Sequence, residues 1–139
     1  MRGSLSPARL IAAALVTTVV AAGAASSALA TTGTSTANGL QVTASLSPDS
    51  VSKGQNVTET ESVVNVGHSK VNVRLTVIGA RPTATPQTVF VTLDPGGSYS
   101  QGAVYPAASL KPGTHTLTVA AANRATGAGA QTSASITVN

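Results

Sequence analysis

The chain has 139 residues with no cysteine and no tryptophan, and eight Lys and Arg stand against four Asp and Glu. Without cysteine there is no disulfide framework, no thiol nucleophile and no thiolate metal site. Nucleic-acid binders gather basic residues on one face with stacking aromatics, whereas the basic residues here are scattered and the aromatics are only Phe90, Tyr99 and Tyr105, so that class is excluded as well.

Arg2 and Arg9 stand ahead of an apolar run, LIAAALVTTVVAAGAA, which gives way to small residues at Ala28-Leu29-Ala30. This is the pattern of a signal peptide over residues 1–30, cleaved after Ala30, with Ala28 as the alternative because Ser26 is also small. A membrane anchor fits less well, since a span needs about twenty apolar residues and this run is shorter and diluted by Ala and Thr. The alanine-rich leader points to a bacterial source. Cleavage leaves six basic residues against four acidic ones, a net +2, and no second apolar run to hold the chain in a membrane. The remaining domain, about 109 residues, would bury roughly two thirds of its unfolded surface.

Residues 31–39, TTGTSTANG, are small and polar and read as a flexible lead. From Leu40 the period is two, with Leu40, Val42, Ala44 and Leu46 on one face of a strand. SPDSVSKGQ turns the chain into a second strand, Asn56 to Val64. The third carries Val71, Val73, Leu75 and Val77 on one face. GARPTATPQ, with two prolines, is a loop, and TVFVTL after it sets Val89, Val91 and Leu93 together. DPGG signals a tight turn into a weaker strand from Ser98 to Tyr105. Pro112 and Gly113 lead into a central strand with His115, Leu117, Val119 and Ala121 on one face. NRATGAGA turns into the last strand, where Thr132, Ala134, Ile136 and Val138 face inward. About seven strands with frequent turn signals describe an all-β, antiparallel immunoglobulin-like sandwich over residues 40–139.

The segments LSPDSVSKGQNVT, NVG at 65–67, VTLDPGGSYS and LKPGTHTLTV, in that order, resemble the bacterial immunoglobulin-like or fibronectin-type-III-like β-sandwich modules of extracellular proteins. The resemblance spans essentially all of residues 40–139 and rests on turn and strand grammar, so it implies fold strongly and function weakly. Two positions depart from the pattern. His115 stands where those modules often carry tyrosine, and Glu59 and Glu61 occupy an alternating set that is usually apolar or hydroxyl.

His115 has no Asp or Glu within three residues and no second histidine at ligand spacing, so it is expected to donate to a nearby backbone carbonyl, with His68 a solvated turn residue. Glu59 and Glu61, at i and i+2 on a strand, share a face with Cβ atoms roughly 7 Å apart, a spacing compatible with a cation or an acid and base pair. The plainer arrangement puts Thr58, Thr60, Ser62 and Val64 inward and both glutamates in solvent, where charge deters edge pairing. No Gly-x-Ser-x-Gly elbow and no phosphate loop occurs, so no catalytic, cofactor-binding or metal-binding residue is assigned. Asn56-Val57-Thr58 matches a glycosylation acceptor, relevant only in a host with that machinery. A ligand platform would have to come from Phe90, Tyr99 and Tyr105.

The expectation is a noncatalytic secreted or cell-envelope-associated domain that binds an extracellular or envelope protein, with no nucleic acid and no membrane contact after cleavage. The alternative is a module for carbohydrate or a small ligand. The secreted chromoprotein apoproteins of actinobacteria, which this chain resembles in size and sandwich type, belong to that class, although their disulfides have no counterpart here. An inhibitor would present GARPTATPQ as its exposed loop.

Overall fold

The chain forms nine strands, seven of them from the period-two segments, in the computed structural model, which describes residues 30–81 and 85–139. Residues 1–29, with Ala28 of the expected cleavage site, and residues 82–84 lie outside the described residues. In chain order the strands are β1 (Thr31–Ala37), β2 (Leu40–Ser47), β3 (Ser50–Val51), β4 (Asn56–Asn65), β5 (Val71–Ile78), β6 (Gln87–Leu93), β7 (Ser98–Pro106), β8 (Gly113–Asn123) and β9 (Gly129–Val138). One 3₁₀ turn, Ala107–Ser109, separates β7 from β8.

The first sheet runs β1-β2-β4-β7 and the second β3-β9-β8-β5-β6. All pairings are antiparallel except the short parallel pair of β3 with β9. This is the all-β immunoglobulin-like sandwich that the alternation predicts, and each of the seven expected strands is present. Leu40, Val42, Ala44 and Leu46 of β2 face Leu117, Val119 and Ala121 of β8 and Ala130, Ala134 and Ile136 of β9, and Val73, Leu75 and Val77 of β5 complete the same buried core. Those residues left water because each strand turns only one of its two faces to the opposing sheet.

The segment expected to be a flexible lead is strand β1. It pairs with β2 along its whole length, from Thr31 opposite Leu46 to Ala37 opposite Leu40. Asn38 (φ 54°) and Gly39 (φ 77°) both adopt positive φ, the requirement of a tight two-residue hairpin. Burial alternates along β1, but its inward residues are Thr31, Gly33, Ser35 and Ala37, all small. They are small because β1 lies against β9 of the other sheet. A Cβ on Gly33 would run into the Ser133 carbonyl oxygen, Thr31 Oγ1 donates to the Ser135 carbonyl at 2.6 Å, and Asn38 Nδ2 donates to the Gly129 carbonyl at 2.9 Å. Alternation of size and polarity is therefore absent from β1 even though alternation of burial is present.

Buried Asn65 ties together the other end of the sandwich. Its Nδ2 donates to the carbonyls of Ser69 (2.8 Å) and Leu93 (3.1 Å), and its Oδ1 accepts from the Gly67 amide (3.0 Å). Its backbone N–H donates to Gly97, and its carbonyl accepts from Gly96, so the β4–β5 turn and the Asp94–Gly97 turn form one unit.

Candidate functional site

Glu59 and Glu61 point inward, contrary to the expectation that they face solvent. They are 7% and 4% exposed. The inward set of β4 is Val57, Glu59, Glu61, Val63 and Asn65, and a strand's phase is shared along its length. Turning the glutamates out would also turn out Val57 and Val63, both fully buried, so the apolar ends of β4 carry its charged middle inside.

The neighbouring strands build the surroundings. Glu59 lies between Leu46 of β2 and Ala103 of β7, and Glu61 between Ala44 and Gln101. Gly102 allows this close pairing, since a Cβ there would meet the Glu59 carbonyl oxygen. Glu59 Oε2 accepts from the Ala80 amide at 2.9 Å and from the Tyr105 hydroxyl at 3.2 Å. Glu61 Oε1 accepts from Gln101 Nε2 at 3.2 Å, and Gln101 Oε1 in turn accepts from the Tyr99 hydroxyl at 2.9 Å. Glu61 Oε2 is buried with no hydrogen-bond partner. The guanidinium of Arg81 lies over the Tyr105 ring, 4.9 Å from its centroid.

Between these groups and the second sheet is a cavity of about 400 Å³, whose lining includes Glu59, Glu61, Arg81, Thr85, Gln87 and Gln101. Burial pushes the Glu61 carboxyl up to about 7. The negative charge of Glu59 adds to the rise, and the Gln101 hydrogen bond opposes it. Burial, with the charge of Glu59 and the bond to it, also raises the Tyr105 hydroxyl above its usual range. The site thus offers buried acceptor oxygens, one of them without a hydrogen-bond partner. Such a place can hold a proton, or a ligand that donates hydrogen bonds and carries positive charge.

Phe90, Tyr99 and Tyr105 do not form one platform. Phe90 is 58% exposed on the outer face of the second sheet, with the Arg124 guanidinium 4.6 Å from its ring centroid. Tyr99 and Tyr105 do share a face of β7, but it is the inner face of the first sheet, where their hydroxyls bond to Gln101 and Glu59. They belong to the cavity network. His115 Nε2 lies 2.7 Å from the Lys111 carbonyl and so carries the proton it donates there, the backbone bond expected for it. His68 is exposed in the β4–β5 turn. The described residues contain no group of three or more His, Cys, Asp and Glu side chains suited to a metal ion.

Two signals in the sequence mark the cavity. Val57 and Val63 have the parity of Glu59 and Glu61, and Tyr99, Gln101, Ala103 and Tyr105 share a parity in the strand that pairs with them.

No family model matches the chain, and no curated protein does. Solved structures do. The CARDB domain of the PF1109 protein from Pyrococcus furiosus, determined in complex with di-metal ions, aligns with a TM-score of 0.54 at 13% identity, over 76% of this chain and 89% of that one. The sporulation control protein Spo0M of Bacillus subtilis aligns with a TM-score of 0.49 at 14% identity, over 74% of this chain and half of its own. At such identities the likeness to the CARDB domain is one of fold: this chain is a β-sandwich module.

Proposed function

We propose that the chain is an exported, noncatalytic module of the bacterial immunoglobulin-like or fibronectin-type-III-like kind, secreted or held at the cell envelope, and that it binds a small ligand in the cavity over Glu59 and Glu61. One observation carries this reading: Glu61 is buried beside a 400 Å³ cavity, and one of its carboxyl oxygens has no partner. An unpaired buried polar group is costly, by about 1–3 kcal/mol and more when charged. Departures from local rules of this kind concentrate at functional sites. The volume suits a small organic molecule.

A noncatalytic role is supported by where the ionisable groups sit. Glu59 and Glu61 are neighbours on one face of one strand, so they do not flank a substrate from opposite sides as paired carboxylate catalysts do. The imidazole of His115, on β8, is engaged with the carbonyl of Lys111 in the turn before that strand. The CARDB neighbour's metal ions suggest a metal for this cavity too, but that idea has less support because two carboxylates are short of the oxygens such an ion collects.

The test is capture. Immobilised protein would be exposed to a small-molecule extract of the producing culture, and retained compounds would be identified by mass spectrometry. One chemical class should be retained by the wild type and lost from Ala103→Leu, which narrows the cavity while keeping both glutamates. Equal retention by both proteins would sink the cavity reading.

A second reading, binding of an envelope protein or polysaccharide at the surface, draws on exposed Phe90 and Arg124 on the outer face of the second sheet. Sedimentation with insoluble polysaccharide, or capture of an envelope protein, that Phe90→Ala abolishes would favour it.

A further inference from the structure

Taking the cavity as a ligand site, we infer that its ligand carries a primary ammonium group, which docks between Glu59 and Glu61 and donates to the Glu61 oxygen that has no partner.

The hydrogen-bond directions lead to this choice. Glu59 already accepts two donors from the protein, the Ala80 amide and the Tyr105 hydroxyl. The amide of Gln101 is fixed by Tyr99, so its NH₂ faces Glu61 Oε1 and has no second orientation to offer. Glu61 Oε2 remains an acceptor with no donor, and rotation about the last side-chain bond, a soft two-fold torsion, exchanges the two oxygens at the cavity. An ammonium brings three donors and one positive charge. Arg81 does not play that part from within the chain, for its guanidinium lies over Tyr105 and the ion pair among the described residues is Lys70 with Asp94.

The rest of the lining defines the remainder of the ligand. Thr85, Gln87 and Gln101 offer neutral polar groups, and Val77 and Ala103 offer apolar contact. A bare ion would leave most of the cavity empty, and a divalent metal would need six or more oxygens where protein N–H and O–H donors already face the carboxylates. A small organic amine uses both the charge and the space.

Proton release accompanies binding. The ionisable groups around Glu61 are Glu59 on its own strand, Tyr99 and Tyr105 on β7, and Arg81 beyond β5, while Val77 and Gln87 of the facing sheet carry no charge. Empty, the Glu61 carboxyl titrates at about 7. The ammonium needs it ionised, so affinity weakens by about tenfold for each pH unit below that point and levels off above it.

The experiment uses protein produced from the full 139-residue chain. Amide NMR shifts around Glu59, Glu61 and Gln101 would be followed on titration with ethylammonium, tetramethylammonium, ethanol and calcium. Saturable shifts with ethylammonium are expected, with tetramethylammonium and ethanol weaker by about tenfold or more, and ethylammonium weakening by about tenfold from pH 6 to pH 5. Glu61→Gln should weaken ethylammonium by at least about tenfold and flatten its pH profile. If that variant proves unfolded, the contrast among ligands and the wild-type pH profile decide the matter by themselves. Equal binding of ethylammonium and tetramethylammonium, binding of calcium alone, or no response to any cation would overturn the inference. Should no cation bind while the captured compound is still lost from Ala103→Leu, the ammonium assignment fails and the cavity reading stands. If neither is seen, both fail.

Discussion

The two flanks of the sandwich are built in opposite ways. Along β1 and β9 the sheets close with small residues, backbone against backbone, and hydroxyl and amide side chains stitch the seam. Along β6 and β7 the sheets barely meet, and the gap is lined with carboxylates, amides and a guanidinium. Closure requires only that side chains be small enough to allow contact. Keeping a gap open requires groups that resist collapse, and a partly ionised, incompletely bonded carboxyl does so at a cost in stability. The closed flank should therefore be harmed by any added bulk, whereas the open flank should gain stability when its charge is removed.

The strongest test of that contrast is Gly33→Val. Its side chain has nowhere to go but the Ser133 carbonyl, and urea unfolding should show a loss of about 3 kcal/mol or more. Next comes the pH dependence of stability. The Glu61 carboxyl titrates near 4.5 when unfolded and about 7 when folded, so between those values the native chain holds a proton that the unfolded chain has released. Stability is thus lost as pH rises through this window, by about 3 kcal/mol in all. Glu61→Gln should abolish that loss and be more stable than wild type at pH 8, by urea melts at matched pH. An unchanged slope in the variant would mean that Glu61 is ordinarily solvated.

Tyr105→Phe removes one of two donors to Glu59 and should cost about 1–2 kcal/mol in urea unfolding. Phe90→Ala, on the outer face, should change stability by no more than about 0.5 kcal/mol. A larger change would show that the Arg124 contact helps to hold the second sheet.

Seven strands were legible in the sequence because their buried faces differ from their exposed faces in hydrophobicity, as in Val71-Asn72-Val73-Arg74-Leu75. β1 was not, because close approach to β9 selects for size alone and leaves both of its faces small and polar. Its one legible mark was Asn38-Gly39, a hairpin dipeptide that local polarity overshadowed. The inward glutamates were misread by a rule that is usually sound, that charge goes outward. Val57 and Val63 contradicted it from either side. Tyr99 and Tyr105 have the same parity and so share a face, but which face is buried follows from how β7 registers against β4, a long-range fact that no local pattern contains.

The strand directions also fix where the molecule would be held. β1 opens at Thr31 beside Ser135 of β9, and Asn139 is fastened to Val51 and Ser50, so Thr31 and Asn139 lie at one pole. Glu59 lies in register with Leu46 and Thr31 at that same pole, where β5 runs out toward Gly79 and Arg81. Anything tethered at Thr31 or Asn139 would stand level with Glu59 but on the flank opposite the cavity, while Asn65 and the Asp94–Gly97 turn are presented at the distal pole. A bulky fusion at Asn139 would therefore sit by β3, at the edge of the second sheet away from β6, and leave the gap between β6 and β7 clear.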